Sequence, residues 1–342
     1  MKVKPLQIGI LGAANIARQF ATALQGCPTA QIAAIASRTE DNAKSFAESF
    51  GIPKHYGNYK ALLNDPKLDI IYIPLPNDMH AEWAIKAAEH GKHVLCEKPL
   101  CLGLAQAKAM FAAAKLYNVM LLEAYPYWFQ PQTREMLNVL QSGAIGEVRS
   151  IQAAFGFTIA QPLGNIRLNP EKGGGALLDA GSYAMSMVRL VMGEAPIRVC
   201  ALPTWADSGV DISLQATLEF TRQRSAQLSC AMNVANHRRA TIIGTSGVIE
   251  TEYLNHTSPQ LPSQLRLRQG SGFGIPFKDI PAATGNGFRF GAEAFAEVIN
   301  TRDYAAIQRA EQASLDIAQT LEALALSART GKSVELPQRL KF

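Results

Sequence analysis

Five short apolar runs alternate with amphipathic helical segments over the first 124 residues of the chain. The runs are QIGIL (residues 7–11), QIAAIA (31–36), DIIYIP (69–74), HVLC (93–96) and VMLLEA (119–124). Runs that are mostly apolar, without alternation of apolar and polar residues, are typical of strands buried on both faces of a parallel sheet. Strands that alternate with helices over short links need right-handed crossovers, so helices cover both faces. The sequence therefore predicts a doubly wound α/β domain.

The pattern changes in the second half of the chain, where strands predominate. The segments that read as strands are 147–157, 197–202, 212–221, 226–233, 239–243, 248–251 and 264–268. Turn residues separate several of them, which favours antiparallel pairing. One helix, 176–192, interrupts them, and two more, 290–300 and 306–329, close the chain. We predict an α+β domain with a mostly antiparallel sheet, and we place the two domains at residues 1–124 and 125–342.

The composition excludes several classes of protein. The 342 residues are 48% hydrophobic and 18% charged, which is typical of a globular protein. The net charge of +5 is spread along the chain without a basic run, so nucleic-acid binding is not indicated. Five cysteines lie far apart, and with six histidines they show no metal-ligand spacing, so we expect no metal. No stretch is long and apolar enough for a transmembrane helix.

The N-terminus admits two interpretations. Lys2 and Lys4 before an apolar run resemble the start of a signal peptide. The run is short, however, and it leads directly into a glycine-bearing turn and an amphipathic helix. We therefore interpret it as a first strand and expect a cytoplasmic protein.

The first turn, Gly12-Ala13-Ala14-Asn15-Ile16-Ala17, is a weak match to the dinucleotide fingerprint G-x-G-x-x-G. Gly12 keeps the tight turn, and alanine, the smallest replacement, takes the second and third glycine positions. The helix N-terminus still offers N–H groups and a positive dipole end to a phosphate. We predict that Gly12, Ala14, Asn15 and Ile16 bind a cofactor; the alternative is an ordinary turn between a strand and a helix.

The second strand ends in Ser37 and Arg38, which indicates the kind of cofactor. An NAD site is expected to carry an acidic residue near this point, to bind the ribose hydroxyls. A hydroxyl and a guanidinium instead suit a 2′-phosphate, because arginine offers a fork of donors and a permanent charge. We therefore predict NADP as the cofactor, with NAD still possible. The alternative is a solvated arginine at a helix start.

The stretch GKHVLCEKPL, residues 91–100, reads as a helix stop, a buried strand and a charged pair before a proline. Pro99 favours an extended backbone at Lys98. Lys98 then lies at the carboxyl end of a central strand, where open α/β sheets bind ligands. The same residues also fit a surface ion pair after a strand.

The pieces GILGAANIA, ASRT, PLPNDMHAEWAIKAAEHGKHVLCEKPL and GGGALLDAGSY together resemble the Gfo/Idh/MocA oxidoreductase family. EAYPYWFQP, GAIGEVRSIQAAFGF and the tyrosine of LLDAGSY are most similar to one branch of it. That branch holds the dimeric trans-dihydrodiol dehydrogenases, the NADP-dependent D-xylose dehydrogenases and 1,5-anhydro-D-fructose reductase. The resemblance implies a Rossmann domain and an α/β domain with a large open sheet, often used for homodimerisation. It also implies hydride transfer between nicotinamide and a sugar, cyclic polyol or dihydrodiol.

The resemblance assigns roles to particular residues. The family's EKP signature falls on Glu97, Lys98 and Pro99, with Lys98 as the catalytic lysine. A second signature, D-x-G-x-H/Y, falls on Asp179, Gly181 and Tyr183. The residues that line the nicotinamide side would be Pro74, Leu75, Asn77 and His80, and we count Glu97 and Lys98 with the cofactor-binding residues.

Two departures from the family pattern affect these implications. Ala14 and Ala17 replace glycines of the common fingerprint, which bears on how the turn approaches pyrophosphate. Tyr183 replaces the histidine of the inositol dehydrogenase branch, which argues against that specificity.

The predicted chemistry depends on Lys98 and Tyr183 acting together. Removal of hydride from an alcohol also requires a proton acceptor, and a free tyrosine (about 10) or lysine (about 10.4) titrates too high to serve alone. An ammonium beside a phenol favours the phenolate, so the pair can act as acid/base where neither could alone. Asp179, four residues before Tyr183 on a predicted helix, could orient Lys98 or a substrate hydroxyl. The alternatives are a helix-capping Asp179 and a core aromatic Tyr183.

Candidate substrate contacts are Tyr127, Trp128, Phe129 and Arg167, because aromatic faces suit sugar rings and arginine binds hydroxyls. Aromatic residues in a short loop can equally belong to the core. Two other functions share this fold: a cofactor-binding regulator without catalysis, and a glycosidase that retains its nicotinamide. The retention of Lys98, Asp179 and Tyr183 disfavours the regulator.

Overall fold

The computed structural model describes residues 4–262 and 264–337. These residues pack as two compact units. The first comprises the chain up to Phe129 together with Asn286–Ser314; the second comprises Gln130–Gly285 and the segment from Leu315 onwards. The sequence pattern had placed residues 286–314 with the second domain, whereas their packing places them with the first unit.

The first unit contains a sheet of six parallel strands within the described residues. Its strands are β1 (Leu6–Leu11), β2 (Ala30–Ala36), β3 (Lys54–Tyr56), β4 (Ile70–Ile73), β5 (His93–Glu97) and β6 (Leu121–Ala124). Their order is β3-β2-β1-β4-β5-β6, the doubly wound arrangement in which the chain reverses direction beside β1. The predicted parallel sheet is confirmed. The carboxyl ends of all six strands therefore lie along one edge of the sheet.

Helices link these strands. They are α1 (Asn15–Ala23), α2 (Glu40–Phe50), α3 (Tyr59–Leu63), α4 (His80–Glu89) and α5 (Leu104–Leu116). The helix α2 begins after Thr39, carries Glu40 and Asp41 in its first turn and ends at Gly51, which has a φ of 64°. Acidic residues at the start and a left-handed glycine at the end are the expected helix limits.

A helix from late in the sequence, α8 (Gly287–Thr301), completes the core of the first unit. Its Phe288 and Phe295 belong to the same buried cluster as Phe20 of α1 and Tyr72 of β4. Phe20 stacks on Tyr72 with ring centroids 3.9 Å apart and meets Phe288 edge-on at 6.3 Å. Burial of these aromatic rings is what attaches α8 to the first unit.

The second unit is built on a sheet of nine strands within the described residues. They are β7 (Val148–Thr158), β8 (Arg198–Trp205), β9 (Asp211–Phe220), β10 (Arg224–Ala231), β11 (Asn233–Gly244), β12 (Gly247–Glu252), β13 (Leu265–Gln269), β14 (Lys278–Asp279) and β15 (Val334–Glu335). Their order is β14-β13-β12-β11-β7-β10-β9-β8-β15. The pairing is antiparallel except between β7 and β10, so the predicted sheet type is confirmed.

The remaining helices are α6 (Pro131–Gln141), α7 (Ser182–Met192) and α9 (Tyr304–Thr330). The predicted helix over 176–192 is divided, because Leu177–Gly181 forms a π-helix and α7 follows it. Helix α7 packs against β7 and β10. One face of the sheet is polar and forms a groove of about 570 Å³. Its lining includes Gln152, Gln215, Gln227, Thr241 and Glu250.

Candidate functional site

The turn after β1 depends on Gly12. This residue has a φ of 111°, and its N–H donates to the carbonyl of Ala36 at 2.8 Å. A Cβ at this position would lie 2.9 Å from Leu75 Cδ2, so only glycine lets the backbone lie this close. Ala14 is the N-cap of α1 and makes no side-chain cap bond. The turn thus leaves the start of α1 open to an anion, which fits a dinucleotide pyrophosphate despite the alanines.

Ser37 and Arg38 follow β2 at the same edge of the sheet. Ser37 is buried and its N–H donates to the carbonyl of Tyr56 at 3.1 Å, while Arg38 is exposed. Burial raises the pKa of the nearby Tyr59 phenol, and the positive charge of Arg38 opposes that rise. The guanidinium therefore lies on the Tyr59 side of this edge with its donors open to solvent.

The segment after β4 carries Pro74, Leu75 and Asn77 and leads into α4 at His80. His80 is fully buried: its Nδ1 lies 2.9 Å from the carbonyl oxygen of Pro99, and its Nε2 lies 2.7 Å from that of Leu75. Burial lowers the pKa of His80 despite these carbonyls. Both ring nitrogens of His80 thus face backbone carbonyls, and the side chain joins the segment after β4 to the segment after β5.

Lys98 follows β5 and is half-buried, with a cis peptide bond to Pro99. Its neighbour Glu97 is buried and accepts a hydrogen bond from the Tyr72 hydroxyl at 2.7 Å. Burial raises the pKa of Glu97 to about 7, although the Tyr72 bond and the Lys98 charge act in the opposite direction.

A second buried carboxyl, Glu123 of β6, lies close to this segment. Its Oε1 accepts the Leu100 N–H at 2.8 Å, and burial raises the pKa of Glu123 to about 7 against hydrogen bonds from Ser314, Leu100 and Tyr125. The nearby Glu123 carboxyl also contributes to the raised pKa of Glu97. The segment that holds Lys98 is therefore fixed by buried carboxyls on both sides.

The aromatic segment after β6 is partly core. Tyr127 is fully buried, and its hydroxyl accepts a hydrogen bond from Trp128 Nε1 at 2.7 Å. Trp128 and Phe129 are half-buried. Phe129 packs so closely on α8 that a Cβ on Gly291 would lie 3.1 Å from its ring. Of the three aromatic residues predicted to contact substrate, Trp128 and Phe129 retain accessible surface and Tyr127 does not.

In the second unit, Asp179 lies within the π-helix and forms an ion pair with Arg167. Arg167 belongs to a short 3₁₀ turn, Ile166–Leu168, and its guanidinium lies 5.7 Å from the centroid of the Phe157 ring. The structure thus brings two predicted site residues, Asp179 and Arg167, into direct contact. π-Helical turns inside helices are frequent at functional sites.

Tyr183 lies in the first turn of α7 and is buried. Its hydroxyl oxygen accepts a 2.9 Å hydrogen bond from Asn255 Nδ2. The Arg238 guanidinium lies 3.9 Å from the centroid of the Tyr183 ring, and Phe155 meets that ring edge-on at 5.5 Å. The predicted acid/base residue is thus held by a donor, a cation and an aromatic wall.

Sequence reasoning missed four residues of these two clusters: Tyr72, Glu123, Arg238 and Asn255. Glu123 carried a usable signal, because a charged residue inside the apolar run VMLLEA is unusual unless it is paired. Arg238 and Asn255 carried none, since only the tertiary fold brings them to Tyr183. Within the described residues, no group of histidine, cysteine or acidic residues could hold a metal ion, and no helix could span a bilayer.

Two family models match the chain. Residues 6–125 match the Gfo/Idh/MocA model described as an oxidoreductase family with an NAD-binding Rossmann fold. Residues 133–250 match the model of the Gfo/Idh/MocA C-terminal domain.

Curated relatives and solved structures are similar over most of the chain. D-xylose 1-dehydrogenase (NADP(+)) 2 of Haloferax volcanii is 34% identical, over 97% of this chain and 100% of that protein. Trans-1,2-dihydrobenzene-1,2-diol dehydrogenase of Xenopus tropicalis is 38% identical, over 71% of this chain and 74% of that protein. The crystal structure of a 3-ketoreductase from Actinomadura kijaniata with NADP and TDP-benzene has a TM-score of 0.84 and 31% identity, and covers 94% of this chain and 98% of that one. Solved variants of that ketoreductase replace one lysine by alanine and one tyrosine by phenylalanine.

Proposed function

The chain belongs to the Gfo/Idh/MocA oxidoreductase family, and on that premise we propose that it is an NADP-dependent dehydrogenase or reductase of a sugar, cyclic polyol or dihydrodiol. One observation carries the proposal: a chain that belongs to this family also retains the three residues proposed for acid/base chemistry, Lys98, Asp179 and Tyr183. Its relatives include enzymes named for a sugar, a cyclic diol and a keto group.

The preference for NADP rests on the residues after β2. Arg38 is exposed there and gives a 2′-phosphate two parallel donors and a fixed positive charge. Ser37 adds a hydroxyl, and the chain between the end of β2 and Glu40, in the first turn of α2, contains no acidic residue. A sugar dehydrogenase relative and a solved ketoreductase are both named with NADP.

The acid/base step is assigned to Lys98 and Tyr183. Bound NADP supplies the hydride chemistry. In the oxidative direction Tyr183, as phenolate, would take the hydroxyl proton while the hydride passes from the substrate carbon to NADP(+), and Lys98 would stabilise the phenolate charge. In the reductive direction the same phenol returns the proton to the oxygen.

The substrate side is assigned to Trp128, Phe129 and Arg167. The two aromatic residues keep accessible ring surface, which suits the apolar face of a sugar or a cyclic diol. Arg167 is nearly half exposed beside Asp179, so the pair can donate to and accept from hydroxyl groups. Tyr127 is buried and contributes by holding the Trp128 indole.

The test is NADPH formation or consumption over a panel of aldoses, ketoses and cyclic diols, with NAD as the competing cofactor. We expect Tyr183→Phe and Lys98→Met to lower kcat by about 10²- to 10⁴-fold. The matched controls are Tyr304→Phe and Lys108→Met, since both residues are exposed and outside the proposed site. If both site variants fold and keep near-full turnover, the acid/base assignment is wrong; turnover of no panel member would favour the regulator.

We further propose that the protein is a homodimer formed through the polar face of the second sheet. That face is long, and its groove exposes amides, hydroxyls and the Glu250–Arg266 ion pair, which suit a symmetric partner. Light scattering should give twice the chain mass of 37.0 kDa, and a monomer would contradict the proposal. The cytoplasmic location expected from the sequence stays a prediction.

A further inference from the structure

We propose that Asn255 and Arg238 are positioning residues for Tyr183, which hold its phenol oxygen as a hydrogen-bond acceptor and favour the phenolate that takes the substrate proton. This inference rests on the proposed function, because it concerns the acid/base residue of that same site. Neither residue belongs to a sequence motif, and both come from strands or loops more than 50 positions beyond Tyr183.

The orientation of the Asn255 side chain is fixed by Arg238. Arg238 Nη2 donates to Asn255 Oδ1 at 3.2 Å, and Asn255 Nδ2 donates to the Tyr183 oxygen at 2.9 Å. A guanidinium has donors and no acceptor, so it can face only the oxygen of the amide. The NH₂ group of Asn255 must then face the phenol. The bond uses the phenol oxygen as acceptor and does not involve the phenol's own proton.

Arg238 also lies against the faces of three aromatic rings. Its Cζ is 3.9 Å from the ring centroid of Tyr183, 4.9 Å from that of Tyr253 and 5.0 Å from that of Phe155. A planar cation fits between rings, where the charge is attracted to each π face. Tyr253 is held in turn, because its hydroxyl donates to the carbonyl of Ala154 at 3.0 Å.

The backbone at Asn255 is anchored independently of Tyr183. The Asn255 carbonyl accepts a 2.7 Å hydrogen bond from Nε2 of Gln130, which also donates to the carbonyl of Gly285 at 2.9 Å. Gln130 is almost fully buried. The N–H of Thr257 donates to the Gly285 carbonyl at 2.9 Å. The amide that meets Tyr183 therefore belongs to a segment tied down at two points.

The two contacts favour the same protonation state of Tyr183. A hydrogen-bond donor to the oxygen and a cation on the ring face both stabilise the charged form relative to the neutral phenol. Both contacts lie inside the second unit, where Asn255 and Arg238 hold the phenol of Tyr183. In the reaction, the substrate proton goes to the phenolate oxygen, while the Asn255 N–H stays in place as a donor and transfers nothing.

The decisive variant is Asn255→Asp, which keeps the shape of the side chain and an oxygen for Arg238. It replaces the donor at the phenol with a carboxylate oxygen, which accepts the phenol's proton bond and repels the phenolate. We expect kcat/KM at neutral pH to fall by about 10- to 100-fold, and the pH of half-maximal kcat/KM to rise by about one unit. The KM for NADP should not change. Asn236→Asp is the matched control, because it makes the same charge change at an exposed residue of β11.

Two variants of Arg238 separate the effect of its charge from the effect of its planar shape. Arg238→Lys keeps a cation but loses the planar fork, and Arg238→Met loses both. We expect both variants to lower kcat/KM, with the larger upward pH shift for Arg238→Met. In a Tyr183→Phe background, Asn255→Asp should add no further loss, because both changes act on the same step.

The pH profile and the ionisation of Tyr183 test the roles of Asn255 and Arg238, whereas turnover of the substrate panel tests the proposed function. If Asn255→Asp lowers stability or kcat/KM but leaves the pH profile unchanged, Asn255 is only structural and the inference is overturned. For a readout without turnover, 3-fluorotyrosine placed at position 183 reports its ionisation by fluorine NMR. Its titration midpoint should rise in Asn255→Asp and stay unchanged in Asn236→Asp, even if no substrate is found. An unchanged midpoint in Asn255→Asp overturns the inference.

Discussion

The Tyr72 hydroxyl donates a 2.7 Å hydrogen bond to Glu97, the residue directly before Lys98. Tyr72 lies on β4 and is held by stacking on Phe20, so the bond joins two neighbouring strands beneath Lys98. Both partners are buried. The carboxyl group next to the proposed catalytic lysine is therefore fixed by the core of the first unit and does not swing freely in solvent.

The first prediction concerns the pH dependence of stability at Glu97. Burial raises the pKa of Glu97 to about 7, above the unfolded value of about 4.3, so the folded state holds this proton more tightly. The stabilisation is fully present below about pH 4.3 and is lost as the pH rises through about 7. Glu97→Gln cannot lose a proton. We therefore expect the unfolding free energy of Glu97→Gln, relative to that of the wild type, to increase by about 2–4 kcal/mol as the pH rises from 4.5 to 8.

Urea unfolding at a series of pH values measures this difference. Glu82→Gln is the control, since Glu82 is an exposed residue of α4. If the Glu97→Gln and wild-type stability curves run parallel across this range, Glu97 does not hold its proton in the folded state.

The second prediction concerns His80, which shows the opposite sign. Burial lowers its pKa below the unfolded value of about 6.5, so the unfolded chain takes up the proton more readily. The stability that neutral His80 provides is present above about pH 6.5 and declines as the pH falls below it. We expect His80→Ala to lose about 1–3 kcal/mol at pH 8, because the buried imidazole is removed and one of the two carbonyls, that of Leu75 or that of Pro99, loses its N–H donor.

The same variant should lose less at pH 5, where the wild type has already lost part of that contribution. His90→Ala, at an exposed residue after α4, is the control for removing an imidazole. Thermal or urea unfolding at the two pH values measures the effect. An equal loss at both pH values would contradict the neutral, buried histidine.

The third prediction concerns cofactor choice at Arg38. Replacing the guanidinium by a carboxylate removes the donors for a 2′-phosphate and adds an acceptor for ribose hydroxyls. We expect Arg38→Asp to raise the KM for NADP by about 10- to 100-fold and to leave the KM for NAD unchanged or lower. Lys44→Asp makes the same charge change at an exposed residue of α2 and should alter neither constant. Equal effects on both cofactors would place the 2′-phosphate elsewhere.

The first sheet was predicted well from the sequence because its strands are apolar on both faces. Such runs are stable only where both faces are buried, as in the centre of a parallel sheet. The sequence prediction missed β3, whose residues Lys54, His55 and Tyr56 are polar or amphipathic and only half-buried. It shortened β11 to residues 239–243, because residues 233–238 are mostly polar, lie exposed or half-buried, and show no apolar alternation. The sheet pairing supplies these residues with backbone partners that a local pattern does not reveal.

The candidate site was predictable only where residues follow a strand or a recognisable signature. Lys98 directly follows β5, and Arg38 follows Ser37 after β2, so strand prediction alone placed both at the carboxyl edge of the sheet. The helix α8 was predicted as a helix, but the unit to which it belongs depends on how Phe288 packs on Phe20. Asn255 reaches Tyr183 across 72 positions of sequence, and no local pattern encodes such a contact.

The last prediction concerns the Arg167–Asp179 ion pair and the substrate. Arg167 is partly exposed and held between Asp179 and the Phe157 ring, so it can donate to a substrate hydroxyl without first being ordered. We expect Arg167→Ala to raise the substrate KM by about 10-fold with kcat nearly unchanged, since the lost contact serves binding more than the proton transfer. Arg149→Ala is the matched control, because Arg149 of β7 forms an exposed ion pair with Glu147 in the same unit. An unchanged substrate KM in Arg167→Ala, with an altered kcat, would instead assign Arg167 to the orientation of Asp179.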